Sequence, residues 1–269
     1  MPELPEVETI RLELLPRLAG QAFTGVTVAD ARLVQGTTAG ELQRRLTGRA
    51  VAGLDRRGKY LLFHLCGGDT LVVHLRMTGS LLLNPPAATP YIRATFQLAD
   101  GTRLALADRR RLAVICLVSR TEDVTGKLGI EPLTPGFSAA LLAHQLQRRK
   151  LPVKAFLLNQ SIIAGVGNMY ADEALFRARI HPQKRSSALS TGEARKLHAA
   201  IRQVLRGALQ RQGASVDTYV RPGGLTGTAH LDFNVAHRGG QPCPICGAPI
   251  QRIEVAGRGS YFCPGCQKL

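Results

Sequence analysis

Apolar residues near the start of the chain repeat at helical spacing. Val7, Ile10, Leu14 and Leu18 lie three or four positions apart, so they would share one face of a helix. Pro5 comes just before them, and the first turn of a helix tolerates proline because no backbone N–H is needed there. The pattern predicts that the chain opens with an amphipathic helix.

Between residues 22 and 120 the pattern changes to short apolar runs separated by glycine, proline and aspartate. The Asp100-Gly101 pair between two of these runs is typical of a tight hairpin turn. The region predicts a β-sandwich or barrel with one helix, in which Cys66 and Cys116 would be buried. The predicted strands are 60–65, 70–75, 80–83, 92–98, 102–107 and 112–118.

The middle of the chain returns to helical spacing. A glycine-rich loop at 164–168 leads into one predicted helix, and Ser190 and Glu193 have the spacing of a capping box before the longest one. Segment 213–229 is rich in glycine, threonine and proline, which predicts a loop. The helices are predicted at 138–149, 152–159, near 169–178 and at 191–212.

The charge of the chain favours a polyanionic partner. The sequence has 35 Lys+Arg against 19 Asp+Glu, a formal net charge of +16, and most of the excess lies in residues 131–269. An excess of this kind favours nucleic acid over a membrane. The chain has no apolar run near the ~20 residues of a membrane span, and its start is unlike a targeting signal. We therefore expect a soluble, cytoplasmic protein.

Four cysteines near the end of the chain have the spacing of a zinc site. Cys243 with Cys246 and Cys263 with Cys266 form two C-x2-C pairs separated by 16 residues. Two thiolates from each pair can complete a tetrahedron around one zinc ion, which would be structural because protein fills all four positions. Disulfides are the alternative, which an intracellular setting disfavours. Arg258 lies at a predicted turn between the pairs.

The first residues offer a reactive amine. If Met1 is removed, Pro2 becomes a terminal secondary amine, and α-amino groups have a pKa near ~8, below the ~10.4 of lysine. Such an amine is partly unprotonated at neutral pH and can attack an aldehyde-level carbon, while Glu3 beside it can supply or take a proton. On local sequence alone, a structural role for Pro-Glu at a helix start is the alternative.

Seven segments together resemble the bacterial formamidopyrimidine-DNA glycosylases, which remove oxidised purines from DNA. The resemblance runs from end to end, and the ordered combination is far more specific than any one segment. It implies an α+β fold with an N-terminal β-sandwich carrying the first helix, then a helix–two-turns–helix domain with a four-cysteine β-hairpin zinc finger. The segments are 2–9, 57–61, 74–80, 108–111, 128–133, 165–171 and the four-cysteine finger.

The resemblance also implies domain bounds and partners. The β-sandwich would span residues 1–130, the helix–two-turns–helix domain with a base-capping loop 131–229, and the zinc finger 230–269. Double-stranded DNA with an oxidised purine or an abasic site would lie between the domains, with the damaged nucleotide turned out of the stack. One structural zinc ion, no membrane partner and a monomeric state are expected.

Four positions would carry the catalytic chemistry that the resemblance implies. Pro2 would attack the anomeric carbon and displace the damaged base through a Schiff base, and Glu3 would assist opening of the sugar ring. Lys59 would assist β-elimination and Arg258 δ-elimination, so that strand cleavage follows base removal.

A second group of residues would hold the DNA around the extruded nucleotide. Met77 and Arg110 would fill the vacated space, because a thioether adapts to an irregular gap and a guanidinium donates to the orphaned cytosine. Leu112 replaces the phenylalanine wedge usual in the family, so a stacking surface is lost. Further DNA contacts are expected at His74, Arg148, Lys154 and Asn168, and base-pocket contacts at Glu6, Glu173 and Ser215.

Two other functions stay open on the sequence alone. An endonuclease VIII-like glycosylase would use similar chemistry on oxidised pyrimidines, although Met77 and Arg110 favour the purine branch. A non-enzymatic zinc-ribbon DNA-binding protein would account for the finger and the charge, but it would leave Pro2 and Glu3 without a purpose.

Overall fold

The computed structural model describes residues 1–269, which group into two compact units. Unit 1 comprises residues 1–127 and 211–228, and unit 2 comprises residues 128–210 and 229–269. The mixture of helices and sheets confirms the predicted α+β class, while the three-domain division stays a prediction. None of the helices combines the length and apolar character needed to cross a membrane.

Unit 1 contains the first three helices of the chain, and unit 2 contains the other four. They are α1 (Leu4–Leu18), α2 (Ala39–Leu46), α3 (Glu122–Thr125), α4 (Ala139–Gln147), α5 (Val153–Leu158), α6 (Asn168–Ala178) and α7 (Thr191–Gln210). The predicted opening helix and the four helices of unit 2 are confirmed. The β-sandwich was expected to carry only the opening helix, but unit 1 also contains α2 and the short α3. Helix α2 buries only Leu42 and Leu46, too few apolar positions for the periodicity to stand out.

The six predicted strands are all present, with three more before them. The strands are β1 (Phe23–Val28), β2 (Val34–Gln35), β3 (Val51–Arg57), β4 (Tyr60–Leu65), β5 (Thr70–His74), β6 (Gly79–Leu83), β7 (Ile92–Leu98), β8 (Arg103–Asp108), β9 (Val114–Val118), β10 (Gln251–Val255) and β11 (Arg258–Phe262). Asp100 and Gly101 form the predicted hairpin turn between β7 and β8, and Gly101 takes the positive φ of 85° that favours glycine.

Unit 1 is built from two sheets around one apolar core. A four-stranded sheet has the order β1-β7-β8-β6, and a five-stranded sheet has the order β2-β9-β5-β4-β3. Phe23, Phe63 and Phe96 come from both sheets and are fully buried in this core, as the predicted β-sandwich requires. Cys116 is buried as predicted, whereas Cys66 is exposed, because β4 ends one residue before it.

Unit 2 combines helices α4 to α7 with the hairpin of β10 and β11. The capping box before α7 is confirmed: Ser190 N–H donates to Glu193 at 2.9 Å, and Glu193 N–H donates to Ser190 Oγ at 3.2 Å. Buried Gln267 donates to Ile180 O at 2.8 Å and accepts from Cys263 N–H at 2.9 Å. This side chain joins the second cysteine pair to the residues that follow α6.

Candidate functional site

The first turn of α1 contains two buried glutamates. Glu3 is the N-cap residue and is 1% exposed, and Glu6 is fully buried. Glu3 N–H donates to Glu6 Oε2 at 2.8 Å, as in a capping box. Pro2 is buried as well, whereas Met1 is exposed. The residue that removal of Met1 would turn into a terminal amine therefore lies beside a buried carboxyl group.

Glu6 also anchors the segment 211–228 of the same unit. Its Oε1 accepts a hydrogen bond from Ala214 N–H at 2.8 Å. Gly213 has a φ of +83°, and a Cβ there would lie 2.9 Å from Glu6 Oε1, so the approach requires glycine. Ser215 bonds within the segment, donating to Tyr219 O at 2.7 Å. The base-pocket roles of Glu6 and Ser215 stay predictions, while their observed bonds hold the segment together.

Lys59 lies in the tight turn between β3 and β4. The strand pairing leaves Gly58 and Lys59 as a two-residue turn, and Gly58 has the positive φ that such turns favour. Arg56 donates to Gly58 O at 2.9 Å and to Glu8 of α1, also at 2.9 Å. These contacts connect the Lys59 turn to the helix whose N-cap is Glu3.

His74 shares one end of the five-stranded sheet with Lys59. In the register of this sheet, Tyr60 lies opposite His74, and His74 lies opposite Val114. The turn before β4, the end of β5 and the start of β9 therefore meet at the same edge. This edge brings together Lys59, His74 and the residues that precede Val114.

His74 is a buried, neutral hydrogen-bonding group. Burial, together with the nearby charges of Arg76 and Lys59, lowers the pKa of His74 to about 3. Its Nδ1 accepts a hydrogen bond from Arg76 N–H at 3.0 Å, so in the neutral ring the proton resides on Nε2. This tautomer can donate one hydrogen bond to a phosphate oxygen without carrying a positive charge.

The residues expected to fill a vacated stack lie on two neighbouring turns. Met77, half-buried, lies between β5 and β6, and Arg110 and Leu112 lie exposed between β8 and β9. Gly79 at the start of β6 is opposite Asp108 at the end of β8, so the pairing of these strands sets the two turns side by side. The structure thus brings three predicted DNA contacts to one edge of unit 1.

In unit 2, two side chains meet at the first residues of β11 in the finger hairpin. Asn168 donates to Gly259 O at 2.9 Å, and Lys154 donates to the same oxygen at 3.1 Å. Exposed Arg258 is the neighbouring residue, and it begins β11 directly after the turn at 256–257 rather than lying in the turn as predicted. The start of α6 and the catalytic candidate Arg258 are therefore linked through one backbone carbonyl.

Lys154 lies inside unit 2, although the sequence suggested a surface contact. Its side chain is fully buried, and its ammonium is 2.7 Å from Asp172 Oδ1. A direct contact with DNA does not fit this position, because solvent does not reach the charge. Burial raises the pKa of Asp172 to about 7, and the Lys154 ammonium opposes this rise. Sequence reasoning missed Asp172, although its spacing of four from Asn168 places both on one face of α6.

The other two predicted residues of unit 2 differ in exposure. Arg148 is exposed at the end of α4, where a basic side chain is available to a phosphate. Glu173 is 4% exposed and accepts backbone hydrogen bonds from Asn234, Val235 and Ala236 at 2.8 to 3.0 Å. Its observed contacts fix the backbone of 234–236, and its expected role in a base pocket stays a prediction.

The four cysteines of the finger form a ligand set for one zinc ion. Their Sγ atoms all lie within 4.8 Å of one another, with 3.8 Å between Cys243 and Cys266 and 3.3 Å between Cys246 and Cys263. A tetrahedron with Zn–S bonds of ~2.3 Å has S···S separations of about 3.8 Å, so the cluster fits. All four are free cysteines, which excludes the disulfide alternative in this structure. The finger is the site of one structural zinc ion.

Three family models match successive parts of the chain. Residues 1–115 match the formamidopyrimidine-DNA glycosylase N-terminal domain, and residues 128–220 match the H2TH domain of the same family. Residues 240–269 match a zinc finger found in Fpg and isoleucyl-tRNA synthetase. The matches follow the order of the segments on which the sequence resemblance rests.

Individual relatives are similar over nearly the whole chain. A formamidopyrimidine-DNA glycosylase of Symbiobacterium thermophilum is 42% identical over 275 residues, covering 100% of this chain and 90% of that protein. The Fpg crystal structure from Thermus thermophilus has a TM-score of 0.91 and 42% identity, covering 99% and 98%. A mutant Lactococcus lactis Fpg in complex with Fapy-dG-containing DNA has a TM-score of 0.92 and 36% identity, covering both chains fully.

Loss of zinc is expected to unfold the finger and leave unit 1 folded. Chelation or Cys246→Ser should abolish the protected amides of β10 and β11 in hydrogen exchange, because ligand binding and folding of such modules are coupled. DNA affinity should fall by about tenfold or more, since a charge-assisted hydrogen bond is worth ~1.5–3 kcal/mol. Cys66→Ser, which changes an exposed cysteine outside the finger, is the control. Unchanged exchange and affinity in the metal-free protein would contradict the assignment.

The buried neutral His74 predicts a pH dependence of stability. The folded-state pKa is about 3 against an ordinary 6.5, so only the unfolded chain takes up this proton between those values. The free energy of unfolding should therefore decrease as the pH falls from about 6.5 towards 3. Urea titrations should show a steeper decrease for the wild type than for His74→Asn, with His144→Asn, at an exposed histidine, behaving as the wild type. Equal slopes for wild type and His74→Asn would refute this.

Proposed function

This chain belongs to the formamidopyrimidine-DNA glycosylase family and is therefore a DNA glycosylase, and we propose that it excises oxidised purines and then cleaves the strand. The proposed substrates are 8-oxoguanine and formamidopyrimidines in double-stranded DNA, together with abasic sites. Base removal from damaged DNA makes it a DNA-repair enzyme, and its substrate would bring it to the nucleoid in the cytoplasm.

The observation that carries this proposal is the arrangement of Pro2 and Glu3. After removal of Met1, the Pro2 nitrogen attacks the anomeric carbon and an N–C bond forms. The glycosidic bond breaks, and the base leaves with the bonding electrons and takes up the proton that the Pro2 nitrogen loses. The ring C–O bond then opens to give an iminium ion, and Glu3 supplies the proton to the departing ring oxygen. The burial of Glu3 directly beside Pro2 supports this role, because it places the carboxyl group next to the amine and out of bulk water.

Strand cleavage would follow from the iminium intermediate. The iminium acidifies the neighbouring C–H, so that β-elimination expels the 3′ phosphate, and δ-elimination then expels the 5′ phosphate. We assign assistance in the first step to Lys59 and in the second to Arg258. Arg56 joins the turn that holds Lys59 to α1, by donating to Gly58 O and to Glu8. This connection supports a position of Lys59 near the amine.

The remaining residues would grip the DNA. Met77, Arg110 and Leu112 would occupy the space that the extruded nucleotide leaves, and their common edge in unit 1 supports this. His74 and Asn168 would each bind a backbone phosphate, with His74 acting as a neutral donor. Exposed Arg148 would add a backbone contact, whose strength falls as salt increases.

Borohydride trapping tests the proposed nucleophile. The mature protein is expected to form a covalent adduct with abasic DNA, because borohydride reduces the iminium to a stable amine. An N-terminal extension that leaves Pro2 in an amide linkage should abolish the adduct. Pro2→Gly, which replaces the secondary amine by a primary one, should reduce it. Pro5→Ala, which changes a proline in the same helix turn, is the matched control and should trap like the wild type. An adduct that survives the extension would rule out Pro2.

The endonuclease VIII-like alternative differs from the proposal in its substrate. The two are separated by comparing initial rates on duplexes with 8-oxoguanine opposite cytosine and with thymine glycol opposite adenine. We expect the 8-oxoguanine duplex to be processed faster, by about tenfold or more, because a favourable hydrogen bond from Arg110 to cytosine is worth ~1–3 kcal/mol. Faster release of thymine glycol would overturn the purine assignment.

A further inference from the structure

One buried carboxylate, that of Asp108, organises the turn between β8 and β9. Asp108 is 1% exposed, and its Oδ2 accepts backbone hydrogen bonds from Leu112 at 2.6 Å and Ala113 at 2.7 Å. Its Oδ1 accepts from Arg110 N–H at 3.1 Å and from the Thr78 hydroxyl. A carboxylate is an acceptor only, so it can satisfy these donors at once. Three backbone amides of this turn therefore donate to one side chain, which fixes the turn's conformation.

The same carboxylate connects this turn to the neighbouring one. Thr78 belongs to the turn between β5 and β6 and directly follows Met77. Its hydroxyl donates to Asp108 and also accepts from Arg110 N–H at 3.2 Å. A change at Asp108 therefore affects both turns, the β5–β6 turn with Met77 and the β8–β9 turn with Arg110.

The turn needs this support because its backbone is strained. Arg111, between the two exposed side chains, has a φ of +58°, a left-handed conformation that residues with a Cβ adopt at a cost. Tyr91 has a φ of +63°, and its carbonyl accepts from Asp108 N–H at 3.0 Å. Arg93 donates to Asp108 O at 2.9 Å. The backbone of Asp108 is thus fixed by Tyr91 and Arg93, and its side chain fixes the backbone of the β8–β9 turn.

We propose that Asp108 is a positioning residue that presets the turns bearing Met77, Arg110 and Leu112 for entry into the DNA stack. This inference rests on the proposed function, in which these side chains replace the extruded nucleotide. A rigid turn matters because ordering a flexible loop during binding reduces the affinity. A turn that is already ordered in the free protein avoids this cost. Leu112 depends most on this positioning, because a leucine has no aromatic ring that could stack favourably on the neighbouring bases.

The test uses Asp108→Asn, with Thr78→Val as a second variant. In Asp108→Asn, an amide NH2 replaces one of the two accepting oxygens and meets backbone N–H donors, so the turn loosens without a change in size. Thr78→Val removes only the hydroxyl that links the two turns and should act in the same direction, more weakly. Asp100→Asn is the matched control, because Asp100 accepts from Thr102 N–H at 2.8 Å in the β7–β8 turn.

Two substrates separate positioning from general damage. Release of 8-oxoguanine from a duplex requires the nucleotide to be extruded, whereas strand cleavage at an abasic site in single-stranded DNA has no partner base to replace. Asp108→Asn should lower the duplex rate by about tenfold or more, because the turn loses hydrogen bonds to a charged acceptor, which are the stronger kind. Its rate on the single-stranded abasic substrate should stay within about twofold of the control.

A structural readout accompanies the rates. The Leu112 and Ala113 amides should exchange with solvent faster in Asp108→Asn than in the control, while the core of the sandwich stays protected. An equal loss on both substrates would mean that Asp108 only maintains the fold, and it would overturn the proposal. A duplex rate equal to that of the control would overturn it as well, even if exchange were faster.

Failure of the proposed function gives a different result. If the wild-type protein neither releases 8-oxoguanine nor cleaves abasic DNA, the proposed function fails at the wild type, before any variant is compared. If the wild type does both and Asp108→Asn retains both, only the positioning role fails. Rate loss confined to the duplex, with faster exchange of the turn, supports both.

Discussion

The antiparallel register of the unit 1 sheets is the constraint on which the rest of the site depends. Side chains alternate between the two faces of a strand, so a slip of one residue would reverse every inward and outward position. The pairing of Tyr60 with His74 places the buried His74 next to the β3–β4 turn. The pairing of Gly79 with Asp108 places the β5–β6 turn beside the β8–β9 turn. Buried residues such as Phe63 fix this register, because a slip would expose them.

The sequence predicted the features that depend on neighbouring residues. Helix α1 and the Asp100 hairpin follow from local patterns, and the cysteine spacing was enough to predict the finger. Features that depend on distant contacts were missed or misread. The sequence favours a surface position for Lys154, as for most lysines, because the fold alone brings its partners Asp172 and the Gly259 carbonyl of β11 to it. Asp108 was noted as part of a motif, but its role requires knowing which amides surround it.

The formal charge of the chain overstates the charge that a DNA backbone would meet. Lys154 is paired and buried, Arg56 and Arg11 share Glu8, and Arg221 is paired with Glu13. These cations hold elements of the protein to one another. Attraction to phosphate must then come from exposed side chains such as Arg110, Arg148 and Arg258, so composition indicates the class of partner and burial decides which residues meet it.

The hydrogen bond between Glu6 and Ala214 has a consequence for the order in which the protein is made. It joins residues 208 positions apart, and the segment 211–228 belongs to the same compact unit as the N-terminus. On the ribosome, the first unit cannot close until residues 128–210 of unit 2 have been synthesised, because the segment 211–228 follows them in the chain. Late closure of this kind raises the contact order and slows folding. The start of α1 therefore stays accessible until that segment has emerged.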